Sequence, residues 1–353
     1  MIPAAKAASI IQSIGTATAF AVAACAPKAS IAEQPPVVRG FVSGTIDSTT
    51  FRDMRAWGAT VVRLQIHPGE LPWPAQLDQV EARVRAAGAA GLRVVVDMHS
   101  APVKGVNVET PALWDGPDLE PNLIRVWTDL ARRLKPYGQT VWGYDLLNEP
   151  IERSQMPSSP RQWRPLAIKV IAAIRAIDPT VWIIYEPGPG GLFNGFEGLT
   201  PLPDPRVIYS LHFYAPIQFV NQSFDAAEAG NRAGSGVVHY PGWIRFRKWD
   251  RARLEDLVAP VVAFQRRYHV PIYVGEFSVV RWAPEPDAAH WLQDAIAMFE
   301  SHGWSWTYHA FREHNAWSLE DDDRYWVRGD AEPRPAATLS ARGAVVKAAL
   351  HRQ

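Results

Sequence analysis

The 353-residue sequence has one cysteine, Cys25, so no intrachain disulfide can form and nothing in the fold depends on one. Neither sign of charge is in excess, since 36 lysines and arginines face 36 aspartates and glutamates. That balance excludes the basic field that draws proteins to nucleic acid or anionic lipid, and it favours a neutral partner. No His-x-x-x-His pair and no cysteine cluster occurs, so no metal site is expected. There is no internal repeat, no low-complexity tract and no shift of composition that would mark a second domain. What the chain does have is a 47% hydrophobic content against 20% charged residues, enough for one large core. It also has 15 tryptophans, which either fill core or present flat apolar faces to a ligand such as a sugar ring.

The first 24 residues carry a single charge, Lys6, and run through small apolar residues to Ala21-Val22-Ala23-Ala24-Cys25. This is the layout of a secretory signal, and Val22-Ala23-Ala24-Cys25 resembles a bacterial lipobox, whose cysteine becomes the lipidated first residue. Gln12, Ser13, Gly15, Thr16 and Thr18 dilute the stretch and make it a mediocre transmembrane helix. We therefore expect a signal over residues 1–25, a linker over 26–36 and one catalytic domain over 37–353. Lipidation of Cys25 would attach the protein to a membrane; ordinary cleavage in the same stretch would release it. Either outcome places it outside the cytoplasm, secreted, periplasmic or anchored; an uncleaved or irrelevant segment, the third reading, does not.

From there apolar, β-branched runs alternate with amphipathic stretches about eight times. The runs are Val37–Ser43, Thr60–Ile66, Arg93–His99, Val141–Asn148, Val181–Glu186, Val207–Tyr214, Pro271–Phe277 and Trp304–Ala310. Between them, Leu77-Val80-Val84-Ala87 and Leu123-Val126-Trp127-Leu130-Leu134 repeat at helical spacing. Further helices fit Arg164–Ile177, Trp249–Tyr268, His290–Ser301 and Ala337–His351. This α/β rhythm suits a single-domain (β/α)8 TIM barrel, with a doubly wound sheet as the alternative. The stretch Ala215–Lys248 lacks a clear element and reads as an active-site loop. The acidic run Glu320-Asp321-Asp322-Asp323 reads as a solvated loop.

Polar residues interrupt the apolar runs at one end. Strand two ends in Arg63, strand three in Asp97 and His99, strand four in Asn148-Glu149-Pro150 and strand five in Glu186. Strand six ends in His212 and Tyr214, and strand seven in Glu276. In a barrel these are the C-terminal strand ends, where catalytic groups sit. So many polar groups buried together must satisfy one another or a ligand. Glu186 either lines this mouth or caps the following helix. Glycoside hydrolysis needs two facing carboxylates, and Glu149 and Glu276 are the natural pair.

The segment Tyr144-Asp145-Leu146-Leu147-Asn148-Glu149-Pro150 resembles the Asn-Glu-Pro signature of the clan A glycoside hydrolases. With Arg63, Asp97-Met98-His99, His212-Phe213-Tyr214 and Tyr273-Val274-Gly275-Glu276-Phe277, all in order, the chain resembles glycoside hydrolase family 5, the cellulase family. The resemblance spans Val37 to Trp317. It implies retention by double displacement, with Glu149 as acid/base and Glu276 as nucleophile. Such an acid must hold its proton at rest, which burial and the neighbouring nucleophile's charge favour. Asn148 would bind the sugar 2-hydroxyl, Arg63 and Tyr214 would hold Glu276, and His99 and His212 would contact hydroxyls or Glu149.

The resemblance also leads one to expect a tryptophan platform after the eighth strand. Here that stretch reads Trp306-Thr307-Tyr308-His309, so either Trp306 or His309 takes the place, and Trp317 could supply the indole instead. Trp114 and Trp282 are further stacking candidates. The expected enzyme is a cofactor-free, monomeric hydrolase of β-linked glycans, foremost an endo-1,4-β-glucanase. A β-mannanase, a β-1,3-glucanase and a glycolipid-cleaving enzyme share the mechanism, because loop shape sets the substrate. A carbohydrate-binding pseudoenzyme would have lost a carboxylate, and both are present.

Overall fold

The computed structural model describes residues 34–45, 47–68, 72–107, 109–229, 237–320 and 339–352. Cys25 and the expected signal lie outside the described residues, as do Asp321 to Asp323. Eight parallel strands close into a barrel: β1 (Arg39–Ser43), β2 (Val61–Ile66), β3 (Arg93–Met98), β4 (Val141–Asp145), β5 (Ile183–Tyr185), β6 (Val207–Phe213), β9 (Ile272–Phe277) and β10 (Ser305–Tyr308). A separate antiparallel hairpin, β7 (Gly242–Ile244) with β8 (Arg247–Trp249), lies between β6 and β9 in sequence.

The helices follow the strands: α1 (Ser48–Ala56), α2 (Trp73–Ala89), α3 (Pro111–Trp114), α4 (Leu119–Leu134), α5 (Trp163–Arg175), α6 (Ile217–Asn221), α7 (Phe224–Glu228), α8 (Arg251–Leu257), α9 (Ala259–Tyr268), α10 (Asp287–Ser301) and α11 (Ala341–Leu350). In α4 the stripe Leu123, Val126, Trp127, Leu130 and Leu134 is buried, and in α2 so are Leu77, Val80, Val84 and Ala87. Each such stripe packs on the outward strand residues, and burying one leucine or valine contributes about 1.5–3 kcal/mol. Among the described residues no helix is long and apolar enough to cross a membrane.

Two sequence expectations change. The helix expected over Trp249–Tyr268 is two helices, because the Asp250 carboxylate accepts the Arg253 N–H as a cap and Pro260 brings no amide donor to the second. The expected loop Ala215–Lys248 holds α6, α7 and most of the hairpin, elements too short to leave a periodic signal.

Inside the barrel, side chains alternate with period two. Val61, Val95, Ile184, Ile208 and Tyr273 belong to a small buried cluster separate from the main core, and they plug the interior. Two residues further along, β2 and β3 bring Arg63 and Asp97 inward, and the residue after β5 is Glu186. Four residues beyond Ile208 lies His212. The strand partner of His212 is Glu276, because the β6–β9 register shifts after Leu211. Arg63 therefore sits at the third residue of β2, in the barrel's centre rather than at its rim.

Candidate active site

Arg63 organises the interior. Its Nε donates to Asp145 Oδ2 at 2.9 Å, its Nη1 to Glu276 Oε1 at 2.7 Å and its Nη2 to Asn148 Oδ1 at 2.9 Å. Nη2 also lies 3.0 Å from Asp97 Oδ1 and 3.3 Å from Glu186 Oε1. Burying this cation would cost several kcal/mol unpaired. Burial works against its charge, and the carboxylates of Asp97, Asp145, Glu276 and Glu186 more than offset that. Burial, the largest cause, pushes the Asp145 carboxyl up to about 8 despite Arg63.

Glu276 is buried and held on both oxygens, by Arg63 and by the Tyr214 hydroxyl, which donates to Oε2 at 2.9 Å. Burial alone would raise its pKa, but His212, His309, Arg63 and His99 outweigh that and hold it far below the usual carboxylate range.

Glu149 is built differently. Its backbone adopts a left-handed φ of 46°, a strained conformation for a non-glycine residue, and its N–H donates to Glu186 Oε2 at 2.9 Å. Its Oε1 lies 2.7 Å from His212 Nδ1, and its side chain is 41% exposed, so the burial expected for an acid here is absent. One carboxylate oxygen each of Glu149 and Glu276 and a ring nitrogen of His212 lie within 4.8 Å of one another.

His212 is buried among carboxylates. Its Nε2 comes within 3.1 Å of Glu186 Oε1, an ion pair whose angles fall short of a well-formed hydrogen bond. Burial lowers its proton affinity, but the charges of Glu186 and Glu276 and its close contacts with Glu149 and Glu186 raise it well above the ordinary histidine value. Room for the ring comes from two glycines. A Cβ on Gly191 (φ +69°) would stand 3.0 Å from it, as would one on Gly275.

His99 pairs through Nδ1 with Asp97 Oδ2 at 2.8 Å, and although burial opposes it, the Asp97 charge raises its proton affinity. His99, Asn148 and Glu149 share a recess with Trp114.

The aromatic candidates separate. Ser305, Thr307 and His309 follow the inward parity of β10, so Trp306 points outward, is 0% exposed and packs edge-on to Phe277 at 5.6 Å. Trp306 is core and cannot be a platform. His309 stands at the mouth, and Trp317 lies beside it at 6.1 Å, with Tyr214 at 6.4 Å and Phe224 at 5.0 Å from the same indole. Trp282 stacks on Phe224 at 6.4 Å and donates to the Gln222 carbonyl, a step farther from Glu276. Trp114 is 5% exposed with its Nε1 bonded to the Ile151 carbonyl, so it walls the recess without offering a free face.

Sequence reasoning left Glu186 between two roles and did not foresee that Asp145 pairs with Arg63. Glu186 is fully buried and caps no helix; it braces the Glu149 amide and His212. A signal was present, since a carboxylate following Trp182 and Ile184 at even spacing must face the same interior.

A closed parallel barrel with two apposed glutamates after β4 and within β9, one clamped by arginine and tyrosine, defines a (β/α)8 glycoside hydrolase. Residues 31–315 match the profile of Cellulase (glycosyl hydrolase family 5), and the chain belongs to that family. It is thus a glycosidase, hydrolysing O-glycosyl bonds. It is 27% identical over 243 residues to Endoglucanase C of Acetivibrio thermocellus, covering 62% of this chain and 68% of that protein. It is 23% identical over 233 residues to Cellodextrinase A of Ruminococcus flavefaciens, covering 64% and 65%. Endoglucanase Cel5A of Thermotoga maritima superposes with a TM-score of 0.65 at 22% identity, covering 80% of this chain and 92% of that one, a likeness of fold.

Proposed function

We propose that this enzyme hydrolyses β-1,4-linked glucan by double displacement, with Glu276 as nucleophile and Glu149 as acid/base. The observation that carries the reading is the approach of the two carboxylates to within 4.8 Å, oxygen to oxygen. Retaining enzymes keep the two carboxyl groups about 5–5.5 Å apart, and so near an approach of single oxygens suits that spacing better than the roughly 6.5–9.5 Å that inverting enzymes leave for a water. The glucan preference rests on family membership and on relatives named as endoglucanases.

The chemistry then follows from the contacts. Glu276 attacks the anomeric carbon as Glu149 gives its proton to the leaving oxygen, and a glycosyl ester forms. Esterification removes the Glu276 charge, and Glu149 takes a proton from the water that cleaves the ester. The Asn148 oxygen is occupied by Arg63, which leaves its amide donors for the sugar 2-hydroxyl. Trp317, with His309 beside it, supplies the stacking surface. On this reading Glu276→Ala loses several orders of magnitude of turnover on carboxymethylcellulose. Near-normal turnover in that variant overturns it. The residues ending in Cys25 support export with a lipid anchor, and Cys25→Ser should then leave the membrane fraction.

A further inference from the structure

His309 stands at the mouth of the barrel with hydrogen-bonding capacity to spare. Its N–H donates to the Phe277 carbonyl at 3.1 Å, which sets the residue beside the strand that carries Glu276. Its Nδ1 is buried with no hydrogen-bond partner among the described residues. Its Nε2 lies 3.8 Å from Glu313 Oε1, beyond hydrogen-bond reach. The other Glu313 oxygen, Oε2, accepts the Gly44 N–H at 2.9 Å, which holds the carboxylate in place after β1 and leaves Oε1 as the oxygen near the ring. The two side chains are 16% and 24% exposed, so both can be reached from solvent.

A gap of 3.8 Å between a ring nitrogen and a carboxylate oxygen is too wide for a direct bond and wide enough to be bridged. A hydroxyl oxygen about 2.8 Å from each atom accepts the ring N–H and donates to the carboxylate. An indole at this place would offer a flat face to any pyranose. A histidine paired with a carboxylate asks for a hydroxyl.

The barrel order says which hydroxyl. In the closed series β1-β10-β9-β6-β5-β4-β3-β2, β10 and β4 stand on opposite sides. Asn148 follows β4 and, on the reading above, holds the 2-hydroxyl of the sugar joined to Glu276. In a pyranose ring C5 lies across from C2, so the hydroxymethyl group on C5 falls on the β10 side, where His309 and Glu313 stand. We propose, resting on that double-displacement reading, that His309 and Glu313 bind the 6-hydroxyl of the transferred sugar and so select hexosyl over pentosyl chains.

The test compares kcat/KM of the full chain for 4-nitrophenyl β-cellobioside and for its analogue lacking the 6-hydroxyl on the glucose joined to nitrophenol. A hydrogen bond to a charged group is worth about 10- to 150-fold, so the wild-type ratio should fall in that range. His309→Phe keeps a ring and removes both nitrogens, and Glu313→Ala removes the carboxylate; each should lower the ratio at least about threefold, and the two together should bring it near one. Glu313→Gln, which keeps an acceptor oxygen without the charge, should retain an intermediate ratio. If Glu313 served only to hold the Gly44 amide, its loss would slow both substrates alike and leave the ratio unmoved, which overturns the proposal. A wild-type ratio within about threefold of one, with turnover of the unmodified cellobioside abolished in Glu276→Ala, also overturns it and leaves the double-displacement reading intact. Turnover that survives Glu276→Ala overturns that reading itself.

Discussion

Replacing Glu186 with glutamine changes one atom in a residue that touches no substrate, yet three contacts pass through it. Oε2 accepts the N–H of Glu149 at 2.9 Å, and Oε1 lies 3.1 Å from His212 Nε2 and 3.3 Å from Arg63 Nη2. Glutamine keeps the shape and one acceptor oxygen but loses the charge. A hydrogen bond to a charged group is worth about 1.5–3 kcal/mol, so loosening the left-handed Glu149 backbone by that amount lowers kcat/KM roughly 10- to 150-fold. The charge has a second effect. Glu186 raises the His212 proton affinity and helps keep Asp145 protonated, so its loss lowers the pKa of both. The pH at which His212 loses its proton should therefore fall, and a limb of the kcat/KM profile on a soluble β-glucan that follows His212 moves to lower pH with it. A purely structural role would lower folded fraction without moving the limb, and a circular-dichroism melt beside the kinetics separates the two. Glu186→Gln activity within twofold of wild type, with an unmoved pH profile, refutes the bracing role.

Three further outcomes follow. Asp145 has a folded pKa raised to about 8 from 3.8, so between those values the folded state binds more protons than the unfolded one and stability falls as pH rises, by at most about 1.4 kcal/mol per pH unit from this group. Asp145→Asn should flatten the decline in urea-unfolding free energy between pH 4 and pH 8 on the order of that slope, and an unchanged slope counts against a protonated Asp145. Trp306→Ala removes a core indole and should cost about 3–5 kcal/mol of stability, read as a drop in Tm. Trp317→Ala, at a partly exposed ring, should leave Tm nearly unchanged while raising KM for cello-oligosaccharides about 2- to 13-fold, from roughly 0.5–1.5 kcal/mol of stacking; the reverse pattern in these two variants would return Trp306 to the platform.

The barrel was legible because its eight strands read as β-branched runs and its longer helices as apolar stripes, as in β3 and α4. Glu149, Glu276, Arg63, His212 and Tyr214 could be named from strand position and parity. What parity could not give was the register shift that pairs His212 with Glu276, since a slip is a property of two strands together. Nor could it give the depth of Arg63, or the burial that pushes its partner Asp145 up. Trp306 and His309 were indistinguishable as letters in Trp306-Thr307-Tyr308-His309 until the direction of one strand residue was known. The hairpin is only three residues a side, below the length at which alternation can be read.

The central claim is that Glu276 carries the sugar between two displacements. Incubating the enzyme with a 2-deoxy-2-fluoro β-cellobioside bearing a good leaving group slows both steps, the second more, and lets the ester accumulate for peptide mass spectrometry. The account predicts one fluorocellobiosyl group per chain, on the peptide containing Tyr273-Val274-Gly275-Glu276-Phe277 and on Glu276 within it. An adduct on Glu149, or no adduct under conditions where the enzyme still turns over its substrate, would contradict it.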